Sequence, residues 1–137
     1  MKKVYPVIMT QVEGSVLVEV PDLEILTEGK DLNDAMEMAR DAIGVTGITM
    51  QDEKMGIPDP RPIESIDVSK GAFAEHGKGI VTLVDIDFDK YRRMIDEKMV
   101  RRNVTIPNWL NERAEEAHIN VSGVLQEALK AKLGFAN

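Results

Sequence analysis

Three hydrogen-bonding side chains occupy alternate positions in a short β-rich segment near the end of the sequence. Arg101, Asn103 and Thr105 would share one face of a strand over residues 100–106, because successive side chains of a strand point to opposite faces. Arg can pair with guanine, Asn with adenine, and Thr with a base edge or the thymine methyl group. A two-stranded ribbon fits the major groove, so the spacing predicts a strand that reads DNA. An ordinary strand with a solvated polar face is the competing interpretation.

Carboxylates form the second group whose spacing suggests chemistry. Four aspartates stand at positions 1, 3, 5 and 12 of a calcium-loop pattern, namely Asp85, Asp87, Asp89 and Asp96. An EF-hand loop requires Gly at position 6 and Glu at position 12, where this sequence has Lys90 and Asp96. We therefore interpret these residues as acids at a strand end and a helix cap, not as a metal site.

Neither a nuclease site nor a histidine-based site is predicted. Two-metal hydrolysis needs several carboxylates that converge on the ions, and the first β-rich run, residues 4–11, contains none. Other N-terminal acids are expected to form a solvated acidic surface, namely Glu13, Glu19, Asp22 and Glu37. The two histidines, His76 and His118, are far apart in the sequence. The sequence therefore predicts no catalytic residue, no metal and no cofactor, and the chain is expected not to be an enzyme.

The net charge of −7 is distributed unevenly over the 137 residues. Residues 1–98 contain 12 Lys and Arg against 20 Asp and Glu, whereas residues 99–137 contain 5 against 4. The acidic excess in residues 1–98 favours a basic protein partner over nonspecific nucleic acid. Any DNA contact must therefore come from local residues such as Arg101. The sequence has no cysteine, no apolar run long enough for a membrane span and no secretory signal pattern, which predicts a cytoplasmic protein.

Hydrophobic periodicity predicts an α+β fold whose first domain, residues 1–88, has the order β-β-β-α-β. The expected strands are residues 4–11, 15–20, 24–27 and 80–86, and residues 89–99 are interpreted as a connecting helix or linker. The expected helix starts after the cap Asp31 and continues to Ile43 or beyond. Pro6 places the first strand at a sheet edge or delays its start. Gly44 and Gly47 are expected to weaken the helix.

The C-terminal domain, residues 100–137, is predicted to be a strand followed by two helices. Pro107 suits a first helical turn, Asn120 or Ser122 can cap the second helix, and Gly134 can end it. The second helix has an apolar stripe made of Val121, Val124, Leu125, Ala128, Leu129 and Leu133. A segment of about 40 residues rarely buries a core alone. We therefore expect two copies to dimerise and to pair their strands antiparallel.

Residues 100–133 resemble the ribbon-helix-helix family of DNA-binding repressors. The shared features are the alternating strand that ends in VTIP, the first helix, and the start of the second helix, NVSGVLQEAL. The resemblance implies a homodimer, or a higher even-numbered oligomer, that binds operator DNA. The implied contacts are Arg101, Asn103 and Thr105 in the major groove, and Ser122, Gly123 and the Val121 backbone on a phosphate. A helix N-terminus also suits an anion on physical grounds.

Residues 4–62 resemble the HicB antitoxin domain. The shared features are the YP opening, the strand end VEVPDL, the TEG turn, the helix LNDAMEMARDA and the proline-rich GIPDPRPI. The resemblance implies a partial RNase H-like unit that binds and inhibits a HicA-like, mRNA-cleaving RNase toxin. It also implies that the C-terminal domain represses the protein's own operon. Toxin contacts are expected on the helix and on the following loop, at Asp31, Asp34, Glu64 and Asp67.

Two other functions are compatible with the sequence. One is a ribbon-helix-helix transcriptional repressor whose N-terminal domain binds another ligand or protein. The other is a degenerate, nuclease-like hydrolase. A small basic protein encoded in a neighbouring reading frame would favour the antitoxin, and metal-dependent cleavage of RNA would favour the hydrolase.

Overall fold

The computed structural model describes residues 1–96 and 99–135, and the chain folds as two compact units, Met1–Lys98 and Met99–Asn137. A four-stranded antiparallel sheet combined with α-helices confirms the predicted α+β class. None of the helices in these ranges has both the length and the apolar character needed to cross a membrane.

The first unit is built on a sheet with the strand order β3-β2-β1-β4, in which all neighbours are antiparallel. The strands are β1 (Lys2–Val12), β2 (Ser15–Val20), β3 (Ile25–Gly29) and β4 (Gly79–Asp87). β1 and β2 form a hairpin, and Gly14 in its turn has a φ of 80°, a left-handed conformation that glycine adopts without steric cost. A long helix lies between β3 and β4 in the chain, which confirms the predicted order of elements.

β1 lies inside the sheet, which corrects the expectation that Pro6 would place it at an edge or delay its start. β1 pairs with β4 through Pro6↔Leu83, but its pairing with β2 ends at Ile8↔Glu19. At Pro6, β1 therefore has a neighbouring strand on one side only, and a residue without an N–H is tolerated there. Proline constrains the strand locally and does not decide the place of the whole strand in the sheet.

The helix α1 (Leu32–Asp52) covers one face of this sheet. Asp31 caps it as predicted, because its side chain accepts the N–H of Asp34 at 2.8 Å. The helix contributes Ala35, Ala39 and Ile43 to one apolar cluster with strand residues that include Tyr5, Val7, Met9, Val18, Val20 and Val84. α1 is a single helix that continues through both glycines.

The two glycines of α1 are the places where α2 (Phe88–Ile95) comes closest. A Cβ on Gly44 would lie 2.7 Å from the ring of Tyr91, and a Cβ on Gly47 would lie 2.1 Å from Cε1 of Phe88. Both rings are buried. The glycines cost helix propensity, as expected, but their missing side chains make room for the aromatic rings of α2.

The packing of α2 extends the first unit beyond residue 88, where the sequence placed its end. Tyr91 belongs to the core cluster, and Arg92 pairs with Asp52 at 3.0 Å. Residues 89–99 are therefore not simply a linker, because their first part is a helix of the first unit. Most residues of this helix are polar, so its sequence does not indicate that it packs on the core. Two aromatic side chains, Phe88 and Tyr91, attach it there, and they share one face because they are three residues apart.

A long segment between α1 and β4 crosses the other face of the sheet. It contains two 3-10 turns, Ile63–Ser65 and Val68–Lys70. Gly71 approaches Ile8 of β1, whose side chain points away from α1 because it alternates with the core residues of that strand. The Glu19 carboxylate of β2 holds the segment by accepting the N–H of Ala72 at 2.9 Å.

The start of the same segment is anchored by two further hydrogen bonds. The Tyr5 hydroxyl donates to the Pro58 carbonyl at 2.7 Å. Arg61 Nε donates to Asp22 Oδ1 at 2.7 Å, and the Asp22 side chain is only 6% exposed. As a result, β1 is buried on both faces from Tyr5 onwards to Thr10.

The second unit contains the two predicted helices, α3 (Asn108–Glu116) and α4 (Val121–Leu133). Pro107 directly precedes α3. Asn120 is the cap of α4, since its side chain accepts the N–H of Gly123 at 3.2 Å. Gly134 ends α4 with a φ of 84°, as the sequence predicts.

The contact between Gly47 and Phe88 predicts that Gly47→Ala lowers the free energy of unfolding. Overpacking a core costs about 1–3 kcal/mol, whereas the better helix propensity of alanine returns at most about 1 kcal/mol. Chemical denaturation of the full chain measures the change. Gly56→Ala is the matched control, because a Cβ at Gly56 has no heavy atom within 4 Å. Equal stability of the two variants would contradict the packing described for α2.

The two tyrosines of the sequence are predicted to resist deprotonation in the folded chain. Burial, with a smaller effect of the Asp22 and Asp59 charges, raises the pKa of Tyr5 to about 12. Burial, assisted by the hydrogen bond to Asp41, raises the pKa of Tyr91 to about 12. As the pH is raised, the ultraviolet absorbance of tyrosinate should therefore increase in one transition, near pH 12. A transition near pH 10.0, the ordinary pKa of tyrosine, would contradict this.

The same pKa shifts predict how stability depends on pH. Between pH 10.0 and about 12, the unfolded chain releases phenol protons that the folded chain retains. The free energy of unfolding should therefore fall as the pH rises through this window. Denaturation curves at a series of alkaline pH values measure the slope.

Candidate functional site

The predicted groove-reading residues Arg101, Asn103 and Thr105 are all exposed. They lie in a segment, residues 99–107, that has neither helix nor strand assignment in the single chain. A strand needs a neighbour for its backbone hydrogen bonds, and the described residues of the same chain provide none here. The strand over residues 100–106 is thus not formed within one chain, and its pairing with a second copy stays a prediction.

The predicted phosphate residues form the first turn of α4. Val121 and Ser122 are exposed, and Gly123 is half-buried against the cap Asn120. The Gly123 N–H already donates to the Asn120 side chain. In the first turn of a helix the leading N–H groups have no partner within the helix, and the helix dipole favours an anion there. The local structure is therefore compatible with the implied role, mainly through the N–H groups of Val121 and Ser122.

The described part of the second unit leaves its apolar residues uncovered, since none of its residues is buried. The exposed large apolar side chains are Met99, Val100, Val104, Ile106, Trp109, Leu110, Ile119, Val121, Val124, Leu129, Leu133 and Phe135. Contiguous apolar surface of this kind normally marks an interface. The unit has folded helices but lacks a core of its own.

The predicted toxin contacts Asp31 and Asp34 stand at the start of α1. Asp31 is exposed and Asp34 is half-buried. Each carboxylate accepts one backbone N–H, Asp31 that of Asp34 and Asp34 that of Lys30, both at 2.8 Å. These bonds fix the first turn of the helix. Both residues also add negative charge to this end of the first unit.

The other predicted contacts, Glu64 and Asp67, lie on the segment that covers the opposite face of the sheet. Both are exposed. Asp67 accepts the backbone N–H and the hydroxyl of Ser69, and these hydrogen bonds hold the pKa of its carboxyl below the usual value. The structure therefore does not bring Glu64 and Asp67 together with the acids of α1, and one compact site cannot contain all four residues.

Two acids of the calcium-loop pattern, Asp85 and Asp87, have structural partners. Asp87 caps α2 by accepting the N–H of Lys90 at 3.2 Å, which confirms the interpretation as a helix cap and lowers the pKa of Asp87. Asp85 pairs with Arg40 at 3.1 Å. In the described ranges, no three acidic or histidine residues are grouped so as to hold a metal ion.

Two acids assigned to a solvated surface are engaged instead. Glu19 holds the N–H of Ala72, and Asp22 is nearly buried in its pair with Arg61. Both partners lie far away in the sequence, so local pattern gave no signal for these contacts. The expectation of a solvated surface is wrong for these two residues.

The sequence matches the family model described as the HicB-like antitoxin of bacterial toxin-antitoxin systems over residues 5–129. The chain belongs to the HicB-like antitoxin family. This match begins in β1 and ends within α4, so it extends over most of both units. Members of this family are antitoxins, which are regulatory proteins, and the chain is therefore not an enzyme. No curated protein sequence matches the chain.

Solved structures share the fold of this HicB-like chain. A toxin-antitoxin complex from Streptococcus pneumoniae has a chain with a TM-score of 0.62 and 21% identity, covering 96% of this chain and 99% of that one. The antitoxin HicB of Burkholderia pseudomallei has a TM-score of 0.52 and 24% identity, covering 96% and 97%. A chain of the HicA3 and HicB3 toxin-antitoxin complex has a TM-score of 0.51 and 22% identity, covering 61% and 98%.

Proposed function

We propose that the chain is the antitoxin of a type II pair: it binds and inhibits a HicA-like, mRNA-cleaving RNase toxin and represses its own operon through a dimeric ribbon-helix-helix. The observation that carries this proposal is the family match, which extends over residues 5–129 and so across both units. The fold neighbours support the toxin partner, because two of them come from toxin-antitoxin complexes. Both partners, the toxin and the operator DNA, place the protein in the cytoplasm.

The proposed toxin-binding unit is the acidic one, residues 1–98, with a partial RNase H-like fold. Its 12 basic against 20 acidic residues would attract a basic toxin and accelerate its capture, an effect that salt weakens. Inhibition needs no chemistry from the antitoxin, because an interface that buries the active site of the nuclease is sufficient. The proposed contacts are the exposed acids Asp31, Glu64 and Asp67 and the half-buried Asp34, and the two acids of α1 stand apart from the other two.

The proposed dimer forms through the second unit. Two copies that pair their 100–106 segments would supply the missing backbone partners of that strand. The same association would cover the apolar stripe of α4, which a single chain leaves exposed. The paired strands would present Arg101, Asn103 and Thr105 to the major groove, and the start of α4 would hold a phosphate.

Leu129→Lys is predicted to convert the dimer into a monomer. Leu129 lies in the apolar stripe and is 50% exposed in the single chain. A charge buried in an apolar interface costs several kcal/mol. Sedimentation at micromolar concentration measures the mass. Glu127→Lys, at an exposed position on the opposite side of the same helix, introduces the same side chain outside the stripe and should stay dimeric. A dimeric Leu129→Lys variant would contradict the proposed interface.

Asn103→Ala is predicted to weaken operator binding while toxin capture is unchanged. A bidentate contact from a side chain to a base contributes about 1–3 kcal/mol, so we expect a loss of about fivefold or more. A gel shift with the DNA upstream of the chain's own reading frame measures this effect. Asn108→Ala, an exposed asparagine at the start of α3, is the matched control.

Pull-down of the protein encoded in the neighbouring reading frame completes this experiment. Loss of both activities in Asn103→Ala would contradict the separation of roles between the units. Operator binding without capture of the neighbouring protein would instead favour a repressor whose first unit binds another ligand.

A further inference from the structure

The two edges of the sheet differ in how they are protected. β3 has only five residues, Ile25–Gly29, and carries Glu28 on its exposed side with Glu24 directly before it. β4 has nine residues, Gly79–Asp87, and its first six are uncharged. Short length and charge are the usual means by which an edge strand avoids pairing with another chain. β3 has both, whereas the first two-thirds of β4 has neither.

The first six residues of β4, Gly79–Val84, leave room for a further strand on their outer side, whereas Arg40 Nε of α1 donates to the Asp85 carbonyl at 3.1 Å near the end of β4. Within the described residues, β4 pairs with β1 alone. Two of its large apolar side chains are exposed on opposite faces of the sheet, Ile80 at 63% and Leu83 at 48%. An exposed apolar edge of this length is a template for strand addition.

A groove with a volume of about 470 Å³ adjoins this edge on the face covered by α1. Leu32 and Met36 of α1 form one wall, and Ile80 of β4 forms the other. The floor of the groove is formed by Met9 of β1 and Thr82 of β4, and Ile80 lies between it and the position that a fifth strand would occupy. Side chains of such a strand would fill the groove while its backbone pairs with β4.

Charge determines which partner suits this edge. Residues 1–98 have a net charge of −8, from 12 basic and 20 acidic residues, so two copies of this unit repel each other. Asp31 and Asp34 stand at the start of α1, directly beside the groove residues Leu32 and Asn33. A basic protein is attracted to the same place.

We propose that the toxin docks by adding one of its own strands to the outer edge of β4. This inference rests on the proposed function and names its contact surface. The added strand has apolar side chains that fill the groove beside Ile80, and Lys or Arg near the start of α1. Main-chain hydrogen bonds supply affinity, and the groove supplies specificity. Asp31 and Asp34 belong to this surface, whereas Glu64 and Asp67 lie on the other face of the sheet.

Ile80→Lys in the full chain tests the proposal, with Leu26→Lys as the matched control. Leu26 is 58% exposed on the opposite edge strand β3, so both variants add the same charge at an exposed strand position. The probe is the basic protein encoded in the neighbouring reading frame, produced in a catalytically inactive form. For Ile80→Lys we expect about a tenfold or greater loss of affinity, which is the effect typical of substituting a central interface residue. For Leu26→Lys we expect little change. Equal affinities of the two variants would overturn the proposal but leave the antitoxin function intact.

Hydrogen exchange of the wild-type chain tests the backbone pairing directly. The amides of β4 that face away from β1 should become protected when the toxin binds, because alternate N–H groups of an edge strand point outwards, whereas those of β3 should not change. Binding without protection of β4 would overturn strand addition. Protection that depends on the concentration of the chain alone would identify a second copy as the occupant and would also overturn it. A wild-type chain that does not bind the neighbouring protein would overturn the proposed function itself.

Discussion

The burial of β1 on both faces is the constraint on which the rest of the first unit depends. A strand that is buried from Tyr5 to Thr10 needs a cover on each side of the sheet. α1 supplies one cover, and the segment with the two 3-10 turns supplies the other. The hydrogen bonds of Tyr5, Glu19 and Asp22 to that segment replace regular secondary structure as the means of holding it. Because both covers centre on β1 and β2, the described residues of the first unit leave the outer side of the first part of β4 without a neighbouring strand.

The two units differ in how their apolar side chains are removed from water. The first unit buries an aromatic and aliphatic cluster between its sheet, α1 and α2, and glycines at the crossing of the helices let the rings of α2 approach closely. The described part of the second unit buries no residue. Both helices are formed, and Asn120 caps α4, but their apolar sides require another surface. This difference fits a protein in which one unit is self-sufficient and the other becomes complete by association.

The distribution of charge follows the same division. The acidic residues are concentrated in the first unit, where several of them cap helices or hold the covering segment, as Asp31, Asp87 and Glu19 do. Their structural roles leave the net charge of the unit unchanged, so the same residues also set its long-range attraction for a basic partner. The nearly neutral second unit carries its basic pair, Arg101 and Arg102, in the exposed segment before α3, where a polyanion meets little repulsion.

The sequence by itself determined the β-β-β-α-β order of the first domain, the two C-terminal helices, the caps Asp31 and Asn120, the helix end at Gly134 and the family, because periodicity, capping and motifs depend on residues that are close together in the chain. Only the tertiary structure placed β1 inside the sheet, joined α2 to the first unit, and engaged Glu19 and Asp22. It also revealed the asymmetry between the edges β3 and β4 and separated Glu64 and Asp67 from the acids of α1. These features depend on which distant segments meet. Such pairings are chosen by the packing of the whole unit, and they leave no local pattern in the residues that take part.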